Sequence, residues 1–275
     1  MKLIVAGATG FVGTELIRQA LSHPGVMSIL ALARRVTPVP QNTAPGADLS
    51  KLKSVVCDNF EDYPESVKKE LSGADACVWY EFGFLSLSTP PPPPLFSLQM
   101  LPNELGAHRC HPSHLKTMPW EEVRKICYDY TVKGLETIAQ LPQDSSAGKP
   151  LRFIYTSGAK GERDPSKKPW VLGDYCLMRG EAESFVLNYA KESRGAVEAA
   201  VAKPRLIDAP GKMSMAMNAL STIGRSIIGL PKVDVHEVAA TLIDQAINGI
   251  EKDTLLNDDL IRIGQKALVE QQKSQ

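Results

Sequence analysis

In "KLIVAGATGFVGTELIRQAL", residues 2–21, an unbroken apolar run passes through three glycines into residues with helical spacing. Residues 2–7 have the continuous hydrophobicity of a strand covered on both faces. From Thr14 onward Leu16, Ile17, Ala20 and Leu21 recur as one face of a helix. The turn between them, "GATGFVG", carries Gly7, Gly10 and Gly13. Glycine permits a tight turn and lets backbone N–H groups come close to a ligand, and the aligned peptide dipoles of the following helix favour an anion at its N-terminus. The turn is therefore expected to cradle a pyrophosphate with Gly7, Thr9, Gly10, Phe11, Val12 and Gly13.

Working outward, "VMSILALA" (26–33) reads as a second buried strand ending in Arg34 and Arg35. A ribose with a free 2′-hydroxyl is usually met by an acidic residue at such a strand end. A 2′-phosphate suits the bidentate fork of arginine, so the pair favours NADP(H), with NAD(H) as the alternative. A third strand, "LKSVVCD" (52–58), delivers Asp58 either to the adenine or to a cap of the next loop, and both roles stay open. "ADACVWYEF" (74–82), "LRFIYTSG" (151–158) and the segment from Ala196, "AVEAAVAKP", continue the alternation of strands with helical stretches. That alternation predicts an α/β fold: a doubly wound parallel sheet of the NAD(P)-binding Rossmann type, in a single domain over residues 1–275.

One stretch departs from the pattern. "GFLSLSTPPPPPLFSLQMLPNELGAHRCHPSHLKT" (83–117) shows no periodicity, and its five consecutive prolines can neither continue a helix nor join a ladder. It is expected to be an irregular Pro-rich insertion after the fourth strand, of the kind a translated intron leaves. His108, Cys110, His111 and His114 lie within it, but their spacing matches no familiar zinc pattern, so no metal site is expected. Helical patterning resumes in "PWEEVRKICYDYTVKGLETIAQL" (119–141), with Trp120, Val123, Ile126, Cys127, Tyr130 and Leu135 expected on its core face. Near the end of the chain, Asp234 is expected to cap a helix whose buried face holds Val238, Leu242, Ile243 and Ala246, with His236 at the surface beside the cap.

Thirty-one basic side chains balance thirty-one acidic ones. Nothing in that balance recruits nucleic acid or an anionic membrane, and a small-molecule partner is the expectation. The five cysteines (Cys57, Cys77, Cys110, Cys127 and Cys176) are scattered and form no CxxC pair, which reads as free thiols. No apolar run approaches the roughly 18 residues of a membrane span, and no leader pattern opens the chain, so a cytoplasmic location is expected.

The chemistry gathers at "YTSG" and "GDYCLMRGEAE" (173–183). The first brings Thr156 and Ser157 to the carboxyl edge of the sheet, where ligands bind in open α/β folds. The second sets Tyr175 and Arg179 four residues apart, on neighbouring turns of one helix face. Together with "GATGFVG" and "AKP" (202–204), these motifs resemble an atypical short-chain dehydrogenase/reductase of the NAD-dependent epimerase/dehydratase superfamily. The run Y-x-x-x-[K/R]-G-E-x-E is similar to the Tat-interacting oxidoreductase branch. The resemblance covers residues 1–82 and 119 to about 250.

The resemblance implies that Tyr175 is the acid/base, that Ser157, ahead of Thr156, orients the substrate carbonyl, and that Arg179 stands where the family has lysine. An unperturbed tyrosine has a pKa of about 10. A unit charge about 4 Å away is worth roughly 4 kcal/mol at an effective dielectric of about 20, or about three pKa units before desolvation opposes it. Arginine can supply that field and donate to ribose hydroxyls, but it keeps its proton at working pH and cannot relay one. The expected function is an NADP(H)-dependent oxidoreductase acting on a small carbonyl or alcohol. The alternatives are a catalytically weak NAD(P)-binding regulator or scaffold, and an NAD-linked epimerase or dehydratase.

Overall fold

The structure, a computed structural model, describes residues 1–80, 118–142, 148–208 and 232–274. Strand β1 (Lys2–Ala6) leads through the glycine turn into α1 (Phe11–Ser22). β2 (Ser28–Ala33), β3 (Leu52–Val56), α2 (Glu65–Leu71) and β4 (Ala76–Tyr80) complete the first half. The second half holds α3 (Trp120–Arg124), α4 (Tyr130–Gln140), β5 (Leu151–Thr156), α5 (Gly173–Glu192) and β6 (Val197–Lys203). It ends with β7 (Leu206–Asp208), β8 (Lys232–Asp234), α6 (Val235–Asn248), β9 (Thr254–Leu256) and α7 (Asn257–Ser274).

Seven strands form one sheet in the order β3-β2-β1-β4-β5-β6-β9, and every pairing is parallel. The chain builds outward from β1 in one direction through β3, then returns to the other side of β1 with β4. Side chains along each strand alternate between two apolar layers. Leu3, Val5, Ala31, Val78 and Ile154 pack with residues of α1 and α6. Ile4, Leu30, Cys77, Trp79, Phe153 and Tyr155 pack with residues of α2, α4 and α5. Burial on both faces is why these strands read as unbroken hydrophobic runs rather than alternating ones. The doubly wound α/β fold expected from the sequence is thus the fold observed. The Pro-rich stretch at 83–117, with its histidines and Cys110, lies outside the described residues.

Several local expectations are corrected. β2 starts at Ser28 rather than Val26, because Met27 is 76% exposed and interrupts the buried run. β3 ends at Val56, short of Asp58. The expected single helix from residue 119 contains a π turn over Lys125–Asp129, between α3 and α4. Trp120 opens that helix 46% exposed instead of joining the core, whereas Val123, Cys127 and Leu135 are buried as anticipated. Asp234 does cap α6, in a reciprocal box with Glu237. Beside it His236 is more than a surface residue: its Nδ1 lies 2.6 Å from Glu15 Oε1, and its carbonyl accepts from Gln19 Nε2 at 3.1 Å, fastening α6 to α1. The four described cysteines are buried and form no disulfide among the described residues. Among the described residues no helix is long and apolar enough to cross a membrane.

The contact between α4 and β4 depends on a missing side chain. A Cβ on Gly134 would stand 2.3 Å from the Trp79 ring, which is itself buried against Phe60 and Phe153. Gly134→Ala is therefore expected to destabilise the fold by about 1–3 kcal/mol, the usual cost of overpacking a core. A lower urea midpoint with altered Trp79 fluorescence would be the observation.

Candidate functional site at the carboxyl edge of the sheet

Gly7 leaves β1 with φ +76°, and a Cβ there would sit 2.1 Å from the Tyr80 carbonyl oxygen at the end of β4. Only glycine accepts both that backbone and that proximity. Gly10 N–H donates to the Gly7 carbonyl at 2.9 Å, which closes the turn, and Gly10 then serves as N-cap of α1 with no side chain to occupy the first N–H groups. A Cβ on Gly13 would meet the Gly7 carbonyl at 2.5 Å, so this glycine lets the helix settle onto the turn. Thr9 is exposed, Phe11 half-buried and Val12 fully buried. No acidic residue lies in the first turn of α1. The cradle presents backbone to a ligand without side-chain obstruction or negative charge, and this fits a dinucleotide pyrophosphate.

At the neighbouring strand end Arg34 and Arg35 are exposed directly after β2. Close by, Thr37 is buried, its N–H donates to Ser54 Oγ at 2.9 Å, and its own hydroxyl has no hydrogen-bond partner among the described residues. Asp58 is exposed past β3. Of its two readings, the loop cap falls instead to Asn59, whose Oδ1 accepts from Glu61 N–H at 3.0 Å.

Helix α5 brings the remaining residues to the same edge. Leu172, in a left-handed conformation at φ +57°, turns the chain into the helix. Tyr175 is half-buried beside Val123, Cys127 and Met178. One turn on, Arg179 is only 3% exposed. Its Nη2 donates to the Thr156 carbonyl at 3.2 Å, and its guanidinium carbon lies 5.2 Å from the centre of the Tyr155 ring. Its charge also reaches Tyr80, whose phenol is pushed up by burial and drawn partly back by Arg179. The guanidinium thus grips the end of β5. Thr156 is fully buried and its hydroxyl has no partner among the described residues, while the Ser157 hydroxyl donates to Glu183 Oε1 at 2.7 Å.

Glu183 is the residue that sequence reasoning missed. It is 0% exposed and accepts from Lys203 Nζ at 2.8 Å on each oxygen and from Arg163 Nε at 2.7 Å. Lys203 also donates to the Gly161 carbonyl at 2.7 Å, and both terminal nitrogens of Arg163 reach Thr254 Oγ1 at 3.2 Å. The signal was present: Glu183 stands four residues after Arg179 and eight after Tyr175, on the stripe that faces the sheet. Its partners were illegible, because they come from the loop after β5 and the end of β6. Two glycines make room for the cluster. A Cβ on Gly161 would lie 2.2 Å from Glu183 Oε1, and one on Gly180 would lie 1.8 Å from the Glu162 carbonyl.

No family model and no curated protein matches the chain. Solved structures do resemble it in fold. Vestitone reductase from alfalfa (Medicago sativa L.) aligns with a TM-score of 0.59 at 17% identity, over 93% of this chain and 76% of that one. MoeE5 in complex with UDP-glucuronic acid and NAD aligns at 0.56 and 16% identity, over 93% and 75%. An oxidoreductase of the short-chain dehydrogenase/reductase family from Burkholderia thailandensis aligns at 0.57 and 14% identity, over 100% and 98%. At such identities the likeness is one of fold, and it is the Rossmann-type fold already described.

Gly7→Ala puts a methyl group against the Tyr80 carbonyl on a backbone that disfavours it. The expected cost is about 1–3 kcal/mol of stability, read as a lower urea midpoint, whereas Gly46→Ala, also at positive φ but with nothing within 4 Å, should cost less.

Proposed function

We propose that the protein is an NADP(H)-dependent oxidoreductase that interconverts a small carbonyl compound and its alcohol, in the manner of the short-chain dehydrogenases and of the Tat-interacting branch that its tyrosine segment resembles. What supports this reading is that the glycine turn presses on the end of β4 while Arg179 of α5 holds the end of β5, the strand paired beside it. In this reading Gly7, Thr9, Gly10, Phe11, Val12 and Gly13 hold the pyrophosphate, Arg34 and Arg35 the 2′-phosphate, and Asp58 the adenine. Bound nicotinamide supplies or accepts the hydride.

The chain's own residues handle the oxygen and the proton. Tyr175 exchanges a proton with the substrate oxygen as general acid or base. Ser157 positions that oxygen. Arg179 keeps the end of β5 in register with the tyrosine turn and contributes positive charge where oxyanions form, though it passes no proton itself. The substrate is a small molecule, in keeping with balanced net charge. A single domain over the whole chain and a cytoplasmic location complete the reading.

A second reading, a cofactor-binding regulator with little turnover, draws on Arg179, whose guanidinium is engaged with the Thr156 carbonyl. The two diverge on Tyr175.

Fluorescence titration with NADPH and NADH tests the cofactor. NADPH is expected to bind more tightly, and replacing Arg34 and Arg35 by Ala should weaken NADPH about tenfold or more, the loss of a charge-assisted hydrogen bond, while leaving NADH unchanged. Absence of binding by either dinucleotide overturns the proposal. Tyr175→Phe should leave NADPH affinity in place and lower carbonyl reduction by roughly 10²–10⁴-fold. Cofactor binding without turnover in the unaltered chain would select the regulator instead.

A further inference from the structure

Resting on that reading, we propose that Glu183 is a positioning residue which reserves the Ser157 hydroxyl for the charged transition state. A serine hydroxyl has one hydrogen to donate, and in this structure Ser157 donates it to Glu183 Oε1 at 2.7 Å. A hydrogen bond to a carboxylate is roughly twice as strong as one between neutral groups. A neutral ketone entering the site therefore cannot draw the hydrogen away from Glu183. An oxygen acquiring negative charge as the carbonyl is reduced competes on equal terms, so the hydroxyl turns toward it only as that charge develops. Ser157 keeps its proton throughout, and the proton added to the product oxygen comes from Tyr175.

The surroundings of Glu183 make such a turn inexpensive. Lys203 Nζ donates to both carboxylate oxygens and Arg163 Nε to the second, so Oε1 keeps the lysine when Ser157 leaves. The carboxylate is 0% exposed, and no water needs to enter to replace the hydroxyl. Stability alone does not account for the cluster, since a buried ionic group of this kind is commonly matched by well-packed apolar side chains. Its position does. It lies directly behind the serine at the end of β5, and Gly161 lacks the side chain that would otherwise collide with Glu183 Oε1. The hydroxyl must give up Glu183 to reach the oxyanion, so the strength of that hold withholds the bond from the neutral carbonyl and subtracts from what the transition state gains.

The test uses the full chain, NADPH and 9,10-phenanthrenequinone as the carbonyl probe, comparing unaltered protein with Glu183→Gln, Ser157→Ala, the double variant and Arg163→Gln. A neutral amide at 183 holds the hydroxyl less firmly, so the ground-state carbonyl gains the hydrogen bond. KM is expected to fall and kcat/KM to rise about three- to tenfold, the size of one altered hydrogen bond, with NADPH affinity unchanged. In the Ser157→Ala background the same change should have no further effect on either constant. An equal effect of Glu183→Gln with and without the serine, or a raised KM, overturns the proposal. Should Glu183→Gln fail to fold, Arg163→Gln decides: with one cation fewer the carboxylate holds the hydroxyl more firmly, so kcat should fall without a fall in KM, again only when Ser157 is present. Persistence of that effect without the serine overturns the proposal too. No reduction of the quinone by unaltered protein, or full activity in Tyr175→Phe, overturns the oxidoreductase reading itself and the role of Glu183 with it.

Discussion

The Tyr80 carbonyl at the end of β4 occupies the space where any side chain on Gly7 would have to go. This contact joins the two halves of the sheet at the point where the chain reverses its direction of growth, with β1 paired to β2 on one side and to β4 on the other. Because the turn is pressed onto β4, the N-terminus of α1 is held at the crevice between the two strands, where ligands bind in open α/β folds. The second apolar layer follows from the same pairing. With β4 beside β1, Trp79 projects toward α4 and requires Gly134 opposite it.

On the other side of the crevice, charge takes over the organising role. Arg179 and Glu183, one turn apart on α5, are both buried and both directed to the carboxyl edge of the sheet. Arg179 holds the Thr156 carbonyl and Glu183 the Ser157 hydroxyl, so consecutive residues at the end of β5 are each tied to α5. Lys203 from the end of β6 and Arg163 from the loop after β5 neutralise the carboxylate, and Gly180 lets that loop lie against the helix. A short stretch of sequence, "RGEAE" from Arg179, thus records three separate requirements of one edge: a cation for the strand end, a glycine for the loop and a carboxylate for the serine.

The strands and the glycine turn were legible because parallel, doubly covered strands produce continuous apolar runs, and because a tight turn at positive φ pressed against a neighbouring strand admits only glycine. The face of α6 was legible for a similar reason: Asp234, Val238, Leu242, Ile243 and Ala246 obey local rules of capping and periodicity. Less was legible where two distant segments meet. Periodicity placed Trp120 in the core, yet it stands exposed at the helix start, and the π turn that follows shifts the register of the residues after it. His236 looked like surface because its partner, Glu15, lies 221 residues away in sequence.

The sequence by itself determined the first six strands in their succession, the glycine-lined entrance to α1 and the residue types near Ser157 and Tyr175, because each depends on spacing along a single segment, whereas β9 and α7 were not anticipated. The tertiary structure alone decided which of those residues are joined. It turned Arg179 toward the Thr156 carbonyl, gave the Ser157 hydrogen to Glu183, and surrounded that carboxylate with Lys203 and Arg163. The physical reason is that a buried charge is stable only beside opposite charge and hydrogen-bond donors, and here those come from β6 and a loop that only the folded sheet brings within 3 Å or so of α5.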